Sequence, residues 1–407
     1  MDQASRDAAV QHPAPSHPPI PAPGGGYLLS TPVPRPVGPR DAAPRRRSGG
    51  PAVGRTVGGH TVRQLLPLCA QAGLGAADSA AYARALTEAL GPVADRPLDL
   101  APGTPSFLSD DHTPVEFSLS FAVGAAPTLR VLLEPASGLG SLAESGRAGL
   151  LAVRALAQRW NISTGPLDAV EDLFFPDRPH GAFALWLALE LLPGGVPRMK
   201  VYLNPAARGP EHQAATFREA LHRLGRTSAL DALPGHDRLV FFALDLGDWE
   251  QPRVKFYTSH PGLAPSAVGA LSTMAGGPNP AELESFLRTA AGLPADRHTR
   301  LDRRPVLTCH AFTGAADGLP SGFTLYLPVR DYARHDGEVL DRTVVLLDRY
   351  GIDPTPLREA LPAVTPRPLE SGVGLIAHLA LAHQQGHPPR VTTYLSSEAY
   401  RVRPPAA

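Results

Sequence analysis

Five stretches of the chain carry apolar residues at three- and four-residue spacing, which is the pattern of an amphipathic helix. In the second stretch, Leu150, Val153, Leu156 and Ala157 follow that spacing. The predicted helices span about 61–91, 141–160, 211–225, 279–292 and 338–350.

After each helix the pattern changes to two short runs that are typical of strands. The predicted pairs are 115–123 with 128–134, 183–191 with 197–203, 238–245 with 252–258, 306–311 with 322–328, and 372–381 with 390–396. The stretch 372–381 is of ambiguous type. The chain therefore repeats a helix–strand–strand unit five times.

The second strands of the five units resemble one another. Aligned, they read Arg130-Val-Leu132, Lys200-Val-Tyr202, Lys255-Phe-Tyr257, Thr324-Leu-Tyr326 and Thr392-Thr-Tyr394, at spacings of 70, 55, 69 and 68 residues. Ten antiparallel strands in hairpin order can close into one barrel without exposed edges, and a barrel of that size has a lumen wide enough for ligands. We therefore predict an α+β fold: a ten-stranded barrel with a solvent-filled lumen and an outer ring of helices.

The repeated strand pairs an ammonium group with a phenol. The chain has only two lysines, Lys200 and Lys255, and each has a tyrosine two residues later. Residues at i and i+2 of a strand point to the same face, so each pair delivers both groups to one site. An amphipathic strand facing solvent is the alternative for a single pair, but the repetition disfavours it. With Arg130 and Arg253, the two lysines would neutralise a diphosphate without a metal.

Tyrosine rings are the second part of this chemistry. Aromatic faces carry negative potential, so rings that line a cavity stabilise an allylic cation and keep water away from it. The candidate residues for this role are Tyr202, Tyr257, Tyr326 and Tyr394.

The sequence has no motif for a metal. Asp110-Asp111 is followed by His112, so the DDxxD box that holds magnesium against diphosphate is missing, and the pair is predicted to serve as loop and cap residues. Cys69 and Cys309 are far apart and outside any CxxC pattern, which indicates two idle thiols.

Two glutamates on predicted strands are candidates for the chemistry. Glu116 has apolar neighbours, and if it faces the lumen it can accept a hydrogen bond from a ring N–H and raise the electron density of the ring. The alternative is an exposed strand glutamate. Glu190, near Trp186, is a possible base for the final ring proton, and its alternative is a structural ion pair.

Composition sets the remaining limits. Residues 1–58 are rich in Pro, Gly, Ala and Arg and are predicted to be a disordered tail, in which Arg45-Arg46-Arg47 is a solvated run. A single domain is predicted for 59–407, with ordered structure beginning near Thr61. The 38 basic and 38 acidic residues balance, which argues against a nucleic-acid or membrane-surface partner. No apolar run has the length of a membrane span and no signal peptide is seen, so a cytoplasmic location is expected. Monomer and homodimer both stay open.

Six stretches of the chain carry a family resemblance. They are Leu108-Ser-Asp-Asp-His-Thr-Pro-Val-Glu116-Phe-Ser, Arg130-Val-Leu-Leu-Glu-Pro135, Met199-Lys-Val-Tyr-Leu-Asn-Pro205, Arg253-Val-Lys-Phe-Tyr257, Gly322-Phe-Thr-Leu-Tyr326 and Thr393-Tyr394. With these stretches the sequence resembles the dimethylallyltryptophan synthase family, the indole prenyltransferases with the ABBA barrel. The resemblance covers about 60–405.

The resemblance implies dimethylallyl diphosphate as donor, no required metal, and attack of an aromatic ring on an allylic cation. It implies that Glu116 holds the indole N–H, that backbone groups of Phe107 and Leu108 hold tryptophan, and that Thr324 lines the donor pocket. It assigns the diphosphate to Arg130, Lys200, Arg253 and Lys255, and the cation to the four tyrosines. The Arg-rich chain is similar to the bacterial branch that prenylates L-tryptophan, commonly at C6.

Two alternatives differ in kind from this expectation. The first keeps the chemistry and changes the acceptor to tyrosine, a cyclic dipeptide, a hydroxynaphthalene or an indole alkaloid. The second is a non-catalytic barrel that only binds a prenyl diphosphate or a hydrophobic metabolite.

Overall fold

The computed structural model describes residues 55–138, 140–233, 238–248, 251–294, 299–313 and 318–406. The predicted tail, including Arg45-Arg46-Arg47, lies outside the described residues as far as residue 54. Residues 55–58 belong to the fold, because the first helix begins at Val57 and Thr56 caps it by accepting a hydrogen bond from the Gly59 N–H. The first helix therefore begins a few residues before the predicted start of the fold near Thr61.

Ten strands form one closed antiparallel barrel, which confirms the predicted fold class. The strands are β1 Val115–Phe121, β2 Thr128–Leu133, β3 Leu185–Glu190, β4 Arg198–Leu203, β5 Leu239–Asp245, β6 Val254–His260, β7 Val306–Phe312, β8 Gly322–Leu327, β9 Ile376–Gln384 and β10 His387–Ser396. Each strand pairs with the next along the chain, and β10 closes on β1 with Glu116 opposite Ser396. The ambiguous stretch 372–381 is a strand, but it begins at Ile376 and extends to Gln384.

Helices surround the barrel. They are α1 Val57–Gln71, α2 Ala76–Leu90, α3 Leu142–Arg159, α4 Gly165–Asp168, α5 Glu171–Phe174, α6 Gln213–Arg223, α7 Pro280–Ala291, α8 Asp336–Arg349 and α9 Thr355–Val364. No helix among the residues described is long and apolar enough to cross a membrane.

The predicted helix 61–91 is in fact two helices, and this prediction was wrong in its middle. The chain turns at Gly73, whose φ of +72° is a left-handed conformation that glycine adopts without strain, and α2 starts after Gly75. The α9 helix was not predicted. Pro356 lies in its first turn and Pro362 near its end, and prolines at those positions conceal a helical pattern.

Alternation along the strands separates two apolar layers. On β1, Val115, Phe117, Leu119 and Phe121 are buried in the main core between the barrel and the helices, while the residues between them face the lumen. A second, smaller apolar cluster, centred on Trp186, forms one end of the lumen. The helices therefore stabilise the barrel from outside and leave its interior free to carry polar chemistry.

The main core depends on a stack of phenylalanines between α6 and the barrel. Phe256 is fully buried, with ring centroids 5.6 Å from Phe217, 5.7 Å from Phe242 and 5.1 Å from Phe312. We expect Phe256→Ala to lower the free energy of unfolding by about 3–5 kcal/mol, because it removes buried surface and leaves a cavity. Urea unfolding measures this. Leu151→Ala, at a side chain that is 68% exposed, is the control and should change stability by less than about 0.5 kcal/mol. An equal loss in both variants would contradict the prediction.

Candidate active site

A cavity of about 750 Å³ occupies the lumen and opens at one end of the barrel. Its mouth is lined by segments 161–163, 196–198 and 246–248, and the side chain of Arg198 there is 75% exposed. The opposite end is closed by the apolar cluster to which Leu108 belongs. In the part of the barrel that the structure describes, a ligand would therefore enter through the mouth.

The lumen-facing side chains of β2, β4, β6, β8 and β10 occupy three levels, since these strands run in one direction and side chains repeat every two residues. From the mouth inward, the outer level is Thr128, Arg198, Arg253 and Arg390, with no side chain from β8, where Gly322 stands. The middle level is Arg130, Lys200, Lys255, Thr324 and Thr392. The inner level is Leu132, Tyr202, Tyr257, Tyr326 and Tyr394. Cations are thus close to the mouth, and aromatic rings lie beneath them.

All four predicted diphosphate-binding residues line the cavity. The carboxylate of Asp245 at the end of β5 lies 3.4 Å from Lys200 Nζ and 3.3 Å from an Arg253 nitrogen, and it orients both cations. Burial and the charges of Lys200 and Arg253 lower the pKa of Lys255 well below its ordinary value. No described carboxylate lies within ion-pair distance of Lys255, so a diphosphate that entered here would supply its counter-charge.

Glu190 forms the ion pair that was the alternative to its role as a base. Its two oxygens lie 2.8 Å from Arg130 Nε and 2.6 Å from an Arg198 nitrogen. Burial alone would raise the pKa of Glu190, but the two guanidiniums outweigh it and lower that pKa to about 2. A carboxylate so stabilised in its charged form is a weak proton acceptor, and the geometry favours a structural role for Glu190.

Arg390 also lines the cavity and was missed in the sequence. Burial and the neighbouring charges of Arg130 and Arg253 lower its pKa, so it belongs to the same cation group. A local signal for it exists: Arg390 precedes Tyr394 by four residues, as Arg253 precedes Tyr257. Asp245 was missed as well, and its strand end has no distinguishing motif.

The four predicted tyrosines form one continuous belt across β4, β6, β8 and β10. Ring centroids are 5.6 Å apart for Tyr202 and Tyr257, 5.8 Å for Tyr257 and Tyr326, and 5.8 Å for Tyr326 and Tyr394. The hydroxyls of Tyr202 and Tyr257 lie 3.2 Å apart in a hydrogen bond. Burial raises the pKa of all four, that of Tyr394 to about 12, so the phenols are neutral.

Glu116 faces the lumen from β1, one step deeper than Ser118, whose strand partner is Tyr394. The predicted alternative, an exposed strand glutamate, is wrong, because only 5% of Glu116 is exposed. Burial raises the pKa of Glu116 to about 8, although the charge of Arg330 opposes the shift. The carboxyl thus lies at the inner level beside the tyrosine belt, with no hydrogen bond to any described residue.

The closed end of the lumen is apolar and aromatic. Trp186 stacks on Phe183 at 4.2 Å and contacts Phe241 at 5.2 Å. Leu108 packs into this cluster, and Phe107 lies beside it, partly exposed, with its ring 6.3 Å from His112.

The segment 106–113 carries the two backbone positions predicted to hold an acceptor. The Leu108 N–H donates to the Ser106 hydroxyl at 3.3 Å, whereas its carbonyl has no partner among the described residues. Ser106 also donates to Glu134 at 2.6 Å. Burial raises the pKa of Glu134 to about 7, and the sequence assigned no role to this carboxyl although it lies in the matching stretch that begins at Arg130.

The acidic pair has the structural role that was predicted. Asp110 is ion-paired to Arg304, and Asp111 accepts hydrogen bonds from the Thr113 hydroxyl and the Tyr400 N–H. The described residues contain no group of three or more His, Cys, Asp or Glu side chains arranged to hold a metal ion. Cys69 and Cys309 are buried free thiols, as expected.

Comparison with known proteins identifies the family of this chain. The sequence model described as tryptophan dimethylallyltransferase matches residues 79–357. The chain belongs to the tryptophan dimethylallyltransferase family. The predicted family and the enzyme class are thereby confirmed, and the non-catalytic barrel is set aside.

Solved structures of this family agree. The chain is 57% identical to the prenyltransferase PriB in its ternary complex with L-tryptophan and dimethylallyl thiolodiphosphate, over 86% of this chain and 98% of that one, with a TM-score of 0.83. It is 56% identical to 5-dimethylallyl tryptophan synthase from Streptomyces coelicolor in complex with DMASPP and Trp (86% and 98% covered, TM-score 0.82). It is 42% identical to 6-dimethylallyltryptophan synthase from Micromonospora olivasterospora, also in complex with DMASPP and Trp (86% and 99%, TM-score 0.79).

Proposed function

We propose that this enzyme transfers the dimethylallyl group of dimethylallyl diphosphate to C6 of the indole ring of L-tryptophan. The observation that carries the proposal is the order of levels in one lumen: cations at the mouth, a belt of four neutral tyrosines beneath them, and the buried Glu116 beside the belt. This order matches the charges of an allylic diphosphate whose carbon–oxygen bond is breaking above an aromatic acceptor. The PriB complex, with both ligand types bound, supports it.

Each level has a defined task in the proposed reaction. As the C1–O bond of the donor breaks, negative charge grows on the diphosphate, where Arg130, Lys200, Arg253, Lys255 and Arg390 are oriented to receive it. The dimethylallyl cation is left against the tyrosine faces, which stabilise it and exclude water. Thr324 lies on β8 at the middle level, the level of Lys200 and Lys255, and would contact the donor chain.

Glu116 would act on the acceptor. Its carboxylate would accept a hydrogen bond from the indole N–H, and the backbone at Phe107 and Leu108 would hold the amino-acid end at the closed end of the lumen. When the indole carbon bonds to the cation, positive charge spreads to the ring nitrogen, and the carboxylate stabilises it. The ring proton must then leave. We propose the released diphosphate as its acceptor, because Glu190 is already held by Arg130 and Arg198.

Attack at C5 is the second candidate, favoured by the 56% identity to a 5-dimethylallyl tryptophan synthase against 42% to a 6-dimethylallyltryptophan synthase. The two positions differ only in how the ring lies against the cation. NMR of the isolated product separates them when through-space correlations are read with the splitting. The proton with only a small meta coupling is H4 in a C5 product and lies near the side chain on C3, whereas in a C6 product it is H7 and lies near the indole N–H. A product substituted at C5 would overturn the C6 assignment and leave the rest of the proposal intact.

We propose that no divalent metal is required, because the five cations named above take over the neutralisation of charge that a metal would provide. In the presence of EDTA, L-tryptophan and dimethylallyl diphosphate should give a product heavier by one dimethylallyl unit, at a rate close to that with added magnesium. Mass spectrometry and initial rates measure this. A rate abolished by EDTA and restored by magnesium would contradict metal independence. No product under any metal condition would contradict the proposed function.

The acceptor itself needs a separate comparison. Tryptophan should exceed tyrosine, a cyclic dipeptide, a hydroxynaphthalene and an indole alkaloid in kcat/KM. If another acceptor ranks far above tryptophan, the chemistry stands and the assigned substrate is wrong.

A further inference from the structure

A group of five charged residues joins segment 106–113 to later parts of the chain, and we call it the arginine cluster: Asp110, Arg304, Arg330, Asp331 and Arg403. The side chains of Arg304, Arg330 and Asp331 are buried, whereas those of Asp110 and Arg403 are partly exposed. Asp110 lies 3.0 Å from Arg304 and 3.2 Å from Arg330. Asp331 lies 2.8 Å from Arg304 and 2.8 Å from Arg403. Arg330 is 2% exposed and is the largest fully buried side chain of the described residues. The proposed reaction does not use this cluster.

The arginine cluster holds the segment that closes the lumen. Asp110 belongs to 106–113, the segment that carries Phe107 and Leu108. Its partners Arg304 and Arg330 come from a much later part of the sequence. Leu108, two residues before Asp110, packs against the aromatic end of the lumen. The ion pairs therefore fix the backbone that would contact an acceptor.

The cluster also reaches the strand partner of Glu116. A small cavity of about 20 Å³ is lined by Asp110, Arg330 and Ser396, and Ser396 is the β10 residue directly opposite Glu116. Three arginines face two aspartates within the cluster, which leaves one positive charge in excess. Of its members, Arg330 exerts the larger influence on Glu116, and it favours the charged carboxylate, whereas Asp110 opposes it.

We propose that Arg330 is a positioning residue for the acceptor: it anchors segment 106–113 through Asp110 and holds a fixed positive charge beside Ser396, the strand partner of the glutamate that would accept the indole N–H. The inference rests on the proposed function of Glu116. Desolvation alone pushes a buried carboxyl toward the neutral form, which has a hydroxyl to donate and binds an N–H donor less well. The fixed guanidinium of Arg330 favours the charged form of the Glu116 carboxyl and so opposes the effect of desolvation.

The test is the ionisation of Glu116 in three variants. Titratable or charged groups close to it are Arg330, Asp110 and Tyr394, together with His378, which lies opposite Tyr394 and is held neutral because burial lowers its pKa. In Arg330→Gln the pKa of Glu116 should rise by about one unit, which lowers the ionised fraction at pH 7 about tenfold. Asp110→Asn should shift the pKa in the opposite direction. Arg330→Lys, which keeps the charge, should retain most of the wild-type value.

The pKa is read directly, by carbon-13 NMR of labelled glutamate side chains with Glu116→Gln to assign the signal, and also from kcat/KM for tryptophan against pH. The direct reading needs no turnover, so the inference can be judged even if the proposed acceptor is wrong. Arg223→Gln is the matched control: Arg223 pairs with Asp172 and Glu219, none of which lines the small cavity, and its loss should not move the Glu116 signal. An unchanged pKa in folded Arg330→Gln, or shifts of the same sign in Arg330→Gln and Asp110→Asn, would overturn the proposal. If Arg330→Gln does not fold, the sign of the Asp110→Asn shift decides it.

Discussion

Glu116→Gln is expected to lower kcat/KM for tryptophan by about 10²–10³-fold, which is typical of removing one preorganised group that stabilises developing charge. The substitution keeps the shape of the side chain and removes its charge. The indole N–H would still find an oxygen, but positive charge on the ring during attack would lose its counter-charge. Binding of the donor should change little, because the cations lie at the outer and middle levels, away from Glu116. Steady-state kinetics with each substrate varied in turn measures both effects.

The pH profile gives this prediction a second readout. The pKa of Glu116 is raised to about 8, so the ionised fraction grows as pH rises through that value. In the wild type, kcat/KM for tryptophan should therefore increase from pH 7 toward pH 9, and in Glu116→Gln this rise should vanish. Glu211→Gln, at an exposed glutamate, is the matched control and should keep the wild-type profile. A Gln variant with wild-type kcat/KM would show that Glu116 does not act on the acceptor.

Lys255→Met is expected to lower kcat/KM for dimethylallyl diphosphate by about 10²-fold or more, since it removes a half-buried cation that would face the diphosphate leaving group. Lys255 differs from Lys200 and Arg253 in having no carboxylate partner within ion-pair distance among the described residues, so nothing in the protein competes with the diphosphate for it. The methionine keeps the volume of the stem. Initial rates at saturating tryptophan, and calorimetric titration with inorganic diphosphate, measure the loss.

A charge-conserving variant separates charge from packing at this position. Lys255→Arg should recover part of the lost donor affinity, because a guanidinium also binds phosphate oxygens, although with a different shape. Tryptophan binding should stay close to wild type in both variants. If Lys255→Met bound inorganic diphosphate as tightly as the wild type, Lys255 would have no role in holding the donor.

The sequence was sufficient for the barrel and for most of the lumen because both depend on a short-range rule. Lys200 and Tyr202 share a face through a spacing of two, and the repetition of that spacing at Lys255 and Tyr257 indicated that the faces meet. The same rule extends to Arg390, which lies four residues before Tyr394 on the same face and therefore falls outside the two-residue spacing of the repeat.

What the sequence could not predict depends on contacts between distant segments. Arg330 and Asp110 are 220 positions apart, and no periodicity connects them. The ion pair of Glu190 with Arg130 was one of two open alternatives, since strand register was needed to place them opposite each other. Similarly, the pKa of Glu116 depends on how completely the closed barrel excludes water, which no local pattern reports.

The separation of levels along the barrel axis has a consequence for how such enzymes diversify. Residues that would bind the donor lie near the mouth, whereas those that would contact the acceptor lie at the closed end, a few side-chain layers away. Substitutions at distant positions tend to act independently. Changes around Leu108, Phe183 or Trp186 would thus alter which ring is accepted and how it is oriented, while the proposed donor-binding residues are inherited unchanged.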